Sequence, residues 1–176
     1  YDWKKIIKRS RNIAKRLSKG IEYLMKKNKI ELIKGNAFIE DKNSISIDGK
    51  KIITSKNIII ATGARARKFP GVDFDHSKII NYKDAMTLSE IPKRITIIGA
   101  GAIGVEFAHF FNSFGSKVTL IEAVDRILPL EDLEISNELS RIFLKRGIDI
   151  KTNGKVDNIK VSKDVKIKLS NNESID

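Results

Sequence analysis

The sequence predicts an α/β fold organised around a parallel sheet, and three observations carry that expectation. The apolar run Arg94-Ile-Thr-Ile-Ile98 leads directly into Gly99-Ala-Gly101-Ala-Ile-Gly104. That turn opens a helical pattern, Val105-Glu-Phe-Ala-His-Phe-Phe-Asn-Ser-Phe114. A second apolar run, Lys117-Val-Thr-Leu-Ile121, ends in the acid Glu122. Strand, glycine turn, helix, strand and acid follow in the order of a dinucleotide-binding βαβ unit.

Each glycine has its own task. Gly99 lets the chain leave the strand in a tight turn, and Gly101 lets backbone approach a pyrophosphate. Gly104 lets the helix pack close to the strands. The helix then aims unpaired N–H groups and the positive end of its dipole at the phosphates. Gly99, Ala100, Gly101, Ala102, Ile103 and Gly104 are therefore the expected nucleotide turn. Glu122 follows Gly101 by 21 residues. A carboxylate there accepts hydrogen bonds from ribose hydroxyls and repels a 2′-phosphate, which favours NAD over NADP. Arg126, four residues on, is the nearest downstream base that would weaken this preference. The competing reading is a glycine-rich strand-to-helix turn that holds no ligand.

The chain has 176 residues, 41% of them apolar, enough for one domain or parts of two. No apolar run reaches the ~18 residues of a membrane span, and the N-terminus lacks the apolar centre of an export signal. Without such a signal and without cysteine, a cytoplasmic setting is expected. There is no initiator methionine and the C-terminus reads as a hairpin, so an internal fragment of a longer protein is expected. Net charge is +12, and residues 1–29 hold eleven Lys or Arg against two acids. Those bases alternate with apolar residues at helical spacing, and no aromatic set for base stacking accompanies them. A solvated helix face is the preferred reading, with no nucleic acid and no membrane as partner.

Trp3, Ile6, Ile7, Ile13, Ala14, Leu17, Ile21, Leu24 and Met25 predict one long amphipathic helix that Asn28 ends, with Gly20 a weak point inside it. Ile30–Ile33 and Ala37–Glu40 read as short strands. Ser44–Asp48 and Lys51–Thr54 flank Asp48-Gly49, a hairpin signal. The continuous run Asn57-Ile-Ile-Ile-Ala61 reads as a strand buried on both faces, stopping at Thr62-Gly63. Residues 65–92 read as irregular with a short helix near Lys83–Leu88. A helix over Glu131–Arg146 stops at Gly147. Strands at Ile148–Ile150, Val156–Val161 and Val165–Leu169 complete the set.

The glycine turn preceded by a strand ending in Ala61-Thr62-Gly63 resembles the pyridine-nucleotide disulfide oxidoreductases, and within them the lipoamide-type branch. Leu32–Phe38, Asn57–Ala64, Pro92–Ala108, Leu120–Glu122 and Ile127–Pro129 carry the match, which extends over the whole chain. The resemblance implies two Rossmann-like FAD/NAD(P)-binding domains, both incomplete. Residues 1–91 would be the later part of the first FAD-binding segment, with the long helix, a β-meander and the Ala-Thr-Gly strand. Residues 92–176 would be the NAD-binding domain, truncated at its end. It also implies that Ala37, Thr62, Gly63 and Ala64 meet FAD. Gly99 to Glu106, Glu122 and Val156 would meet NAD. Glu106, by position a solvated acid in the first helical turn, would reach toward the flavin. Ala102 stands where many members carry a larger residue beside the nicotinamide pocket.

The implied activity is oxidation of protein-bound dihydrolipoamide, with electrons passing through a disulfide and FAD to NAD⁺. Implied partners are the lipoyl domains of 2-oxoacid dehydrogenase complexes and a second copy in a homodimer. No catalytic residue and no metal ligand set is expected in this stretch. The redox-active cysteines and the family's catalytic His–Glu pair are absent, His109 lies in the helix after the glycine turn, and His76 reads as surface. The chain alone is therefore expected to be inactive and poorly stable. The alternatives are mercuric reductase, NADH oxidase or CoA-disulfide reductase chemistry in the same superfamily, and a non-catalytic NAD sensor. A Cys-x₄-Cys stretch upstream would favour the lipoamide type, and a single cysteine the oxidase.

Overall fold

The computed structural model describes residues 1–175; Asp176, the last residue of the expected second domain, lies outside them. The chain forms two compact units, Arg9–Arg65 and the combination of Tyr1–Lys8 with Ala66–Asp176.

Helix α1 (Trp3–Lys27) begins in the second of these and runs on into the first. Its end follows from backbone chemistry: Lys29 adopts a positive φ of 57°. The Lys29 N–H then donates to Lys26 O and the Ile30 N–H to Met25 O, satisfying carbonyls the helix leaves orphaned. In the Arg9–Arg65 unit, β1 (Ala37–Ile39), β2 (Ser44–Ile47) and β3 (Lys51–Thr54) form an antiparallel meander in sequence order. The predicted hairpin is present. Asp48 and Gly49 have φ of 50° and 67°, and the Lys50 N–H closes the turn onto Ile47 O.

Two predicted strands in this unit are not formed. Ile30–Ile33 and Asn57–Ala61 belong to no ladder. Apolar composition suits a strand, but a strand exists only where a neighbour takes its N–H and C=O groups. No described segment pairs with either run, and Ile59 stays 90% exposed.

The other unit contains α2 (Tyr82–Ala85), then β4 (Arg94–Ile98), α3 (Ala102–Ser113), β5 (Lys117–Ile121), α4 (Leu133–Lys145) and β6 (Asp149–Lys151). Strands β4, β5 and β6 form a parallel sheet in that order, with Ile98 beside Ile121 and Ile121 beside Lys151. The predicted α/β architecture is thus realised as a Rossmann-type sheet. Strand β5 lies between two neighbours, and Val118 to Ile121 are all buried, as expected for a central parallel strand. Helix α3 turns Val105, Ala108 and Phe111 inward at three-residue steps. Gly115 and Gly147 end α3 and α4 with φ of 93° and 80°, each donating its N–H three residues back.

Trp3 is buried in this core beside Phe110, Phe111 and Phe114, and its indole N–H donates to Leu88 O at 2.7 Å. One residue therefore ties the first turn of α1 and the segment before β4 onto α3. Strands β7 (Val156–Val161), β8 (Val165–Leu169) and β9 (Ser174–Ile175) form a second antiparallel meander. Val156, Ile167 and Leu169 pack with Ile121 in a smaller core, joined by Phe69 from the segment before α2.

Candidate functional site

The glycine turn lies where β4 ends and α3 begins. Gly99 has a φ of +99°, which a side chain would strain. A Cβ on Gly104 would stand 1.9 Å from Gly99 O, so the helix approaches the turn as closely as backbone allows. Gly101 differs. Its φ is an ordinary −71°, and a Cβ there would meet nothing within 4 Å. Nothing in the chain itself requires a glycine at this position. Gly101 caps α3 without any side-chain acceptor, so no side chain takes up the amides of the first turn.

The turn is held from both sides. Ala100, fully buried, donates its N–H to Glu122 Oε2 at 2.7 Å and accepts from the Leu128 N–H at 2.8 Å. The Gly99 N–H donates to Ile121 O. Glu122 is the hub of this arrangement. Its backbone N–H donates to Lys151 O, and its carbonyl accepts from the Gly154 N–H, both at 2.8 Å. Oε1 accepts from Ala123 N–H at 2.7 Å and Val124 N–H at 3.3 Å. The acid at the end of β5 therefore clamps the glycine turn to its own loop through charge-assisted hydrogen bonds. A carboxylate has about four lone-pair sites, so Oε2 keeps capacity for a further donor.

A cleft of about 490 Å³ opens at the carboxyl ends of β4 and β5. Ile98, Gly99, Ile121, Glu122 and Ala123 line it, as do Gly154 to Asp157. In open parallel sheets this is the end at which ligands bind. Val156 is buried and borders the cleft. Phe69 and Pro70 also line it, as do Lys155 and Asp157; sequence reasoning singled out none of the four. Arg126 is not part of the lining: its guanidinium donates to Pro129 O at 2.9 Å. The base at the cleft is Lys155.

Most of the remaining predicted site residues are exposed. Ala102 and Ile103 open α3 with their side chains outward, while Val105 is buried in the core. Glu106 is exposed and lies one residue beyond the first turn of α3, not within it as expected, because the helix starts already at Ala102, three residues before the Val105 at which the sequence pattern begins. Ala37 begins β1, and Thr62, Gly63 and Ala64 lie outside any ladder; all four are exposed in the Arg9–Arg65 unit. The structure brings together the turn, Glu122 and Val156. His109 accepts at Nδ1 from the Arg146 guanidinium at 3.0 Å, bridging α3 to the end of α4. Among the described residues no group of three or more His, Cys, Asp or Glu is arranged to hold a metal. Among the described residues no helix is long and apolar enough to cross a membrane.

Fold and site together define a dinucleotide-binding α/β protein. The family model for pyridine nucleotide-disulphide oxidoreductases matches residues 2–176, and the chain belongs to that family. It is 42% identical over 166 residues to a dihydrolipoyl dehydrogenase of Chlorobaculum tepidum, covering 92% of this chain and 35% of that protein. It is 40% identical over 164 residues to a mitochondrial dihydrolipoyl dehydrogenase of Schizosaccharomyces pombe, covering 90% and 32%. The chain thus spans about a third of the length of these relatives. Among solved structures it is similar to the HOCl-induced flavoprotein disulfide reductase RclA of Escherichia coli. There the TM-score is 0.86 at 30% identity, over 99% of this chain and 41% of that one.

Proposed function

We propose that this chain is part of an FAD-dependent dihydrolipoyl dehydrogenase and supplies most of its NAD site and part of its FAD site. Gly101 is the observation that carries the reading. It has an ordinary backbone and free space around it, so its missing side chain makes room for something the chain does not itself contain. A diphosphate fits there, against first-turn amides that no side chain caps. Glu122 would accept from the adenosine ribose through the spare capacity of Oε2 while continuing to clamp Ala100. Val156 would border the adenine. On the other unit, Ala37 and Thr62 to Ala64 are small and exposed, which leaves their backbone within reach of FAD.

When bound, flavin and nicotinamide supply the redox chemistry, carrying electrons from a protein-bound dithiol by way of a disulfide to NAD⁺. The residues of this chain bind and orient: amides neutralise the diphosphate, and Glu122 sets ribose position and disfavours a 2′-phosphate. Glu106 on α3 would extend toward the flavin. Residues 1–91 would form the later part of the first flavin-binding segment and 92–176 the NAD domain up to its truncated end. Lipoyl domains of 2-oxoacid dehydrogenase complexes, a homodimeric assembly and a cytoplasmic setting belong to the same proposal. The likeness to RclA supports a second reading, a flavoprotein disulfide reductase with another thiol substrate.

The test uses the full-length flavoprotein. NAD⁺-dependent oxidation of dihydrolipoamide is expected, and its absence alongside reduction of another disulfide would select the second reading. Gly101→Val should weaken NADH binding by ten-fold or more with FAD content near normal. Glu122→Arg should shift preference from NADH toward NADPH; an unchanged ratio would refute the assignment of that acid.

A further inference from the structure

The turn Phe69-Pro70-Gly71-Val72 lies in sequence some thirty residues before the glycine turn, yet Phe69 and Pro70 line the same cleft. The turn is well built. The Val72 N–H donates to Phe69 O at 3.1 Å, and Gly71 has a φ of +75°, as the third position of a type II turn with proline second requires. Lys68 and Asp73 close its base with an ion pair at 2.6 Å. Phe69 is half-buried and packs against the core of Ile121, Val156, Ile167 and Leu169. The ring is thereby fixed in place while still lining the cleft.

Gly99 and Glu122, which follow β4 and β5, both line the cleft. Phe69, Pro70 and Val156 supply apolar surface alongside, with Lys155 and Asp157 as the added polar groups. A flat heteroaromatic ring suits that combination: apolar walls for its faces and polar groups for its edges. We propose that the Phe69–Pro70 turn is the outer wall of the adenosine half of the NAD site, with Phe69 contacting the adenine. This rests on the NAD reading above. It assigns adenine recognition to a segment outside the βαβ unit, so affinity for the adenosine half depends on residues that no glycine-turn motif contains.

The experiment compares three probes on the full-length flavoprotein: NADH, ADP-ribose and reduced nicotinamide mononucleotide, which lacks the adenosine. Phe69→Leu keeps apolar bulk in the small core but removes the aromatic face. It should weaken NADH and ADP-ribose binding alike by about tenfold, the order expected for one base–aromatic contact, and leave the mononucleotide unchanged. Phe69→Tyr should retain wild-type affinity. Pro70→Ser, at an exposed position, should give about a threefold loss with the same probe pattern, and it decides the matter if Phe69→Leu lowers FAD content or melting temperature. Unchanged ADP-ribose affinity in Phe69→Leu or Pro70→Ser overturns the proposal, as does equal weakening of all three probes. Unchanged NADH affinity in Gly101→Val would instead overturn the NAD reading, and this inference with it.

Discussion

The unit containing the glycine turn and the Arg9–Arg65 unit are made of similar residues but reach different ends. In the first, Phe111, Leu120, Ile127 and Ile148 are almost wholly removed from water. In the second, the only buried residues are Ser44 and Ser46, while Leu17 is 63% and Ile60 69% exposed. Both contain apolar runs and an amphipathic helix. The difference is closure. The parallel sheet has α3 packed on it and a meander whose core includes Ile121, whereas the meander of residues 37–54 has no such cover among the described residues of its unit. Hydrophobic residues build a core only when a second layer faces them. We propose that further chain of the full-length protein, the rest of the flavin domain, faces this second unit.

Trp3→Ala probes the closed core most severely. It removes a buried indole, its hydrogen bond to Leu88 and three ring contacts. A loss of about 4 kcal/mol is expected, read as a fall in the melting temperature of the full-length protein. Gly104→Ala comes next, because the new methyl would collide with Gly99 O. About 3 kcal/mol and most NADH affinity should be lost in fluorescence titration, with flavin absorbance retained. Leu17→Ala tests the open unit and has two arms. It should cost about 2 kcal/mol in the full-length protein if that face is covered, and close to nothing in the 176-residue chain. Equal effects in both would break the contrast drawn above.

The smallest effect is electrostatic. Glu173 bonds to Lys151 at 2.7 Å, and that hydrogen bond holds its carboxyl below the usual range and raises Lys151. A depressed carboxylate stabilises the fold above its unfolded pKa of about 4.3. That contribution disappears as pH falls through the lower folded value. Glu173→Gln should therefore lower the melting temperature slightly at pH 7, and its difference from the wild type should shrink as pH falls below about 4.3.

The C-terminal ends of α1, α3 and α4, the Asp48-Gly49 hairpin and the β4–α3–β5 unit were readable from residue order. Each rests on local signals: periodicity, a positive-φ turn residue, a glycine after the last helical turn. Ile30–Ile33 and Asn57–Ala61 misled because an apolar run states that a strand is suitable, not that a partner exists. The candidate site divides in the same way. Gly99 to Gly104 and Glu122 belong to one continuous motif and were legible. Phe69, Pro70, Lys155 and Asp157 come from two other stretches and carry no pattern of their own.

Sequence alone determined that a glycine turn joins a strand to a helix here and that an acid ends the next strand. Those features depend on φ angles, side-chain size and spacing along a few neighbouring residues. Tertiary structure decided that Glu122 grips Ala100, that Arg126 turns away to Pro129 while Lys155 faces the cleft, and that Phe69 folds back to wall it. These depend on which distant groups packing brings within hydrogen-bonding or van der Waals reach, and no local pattern encodes that.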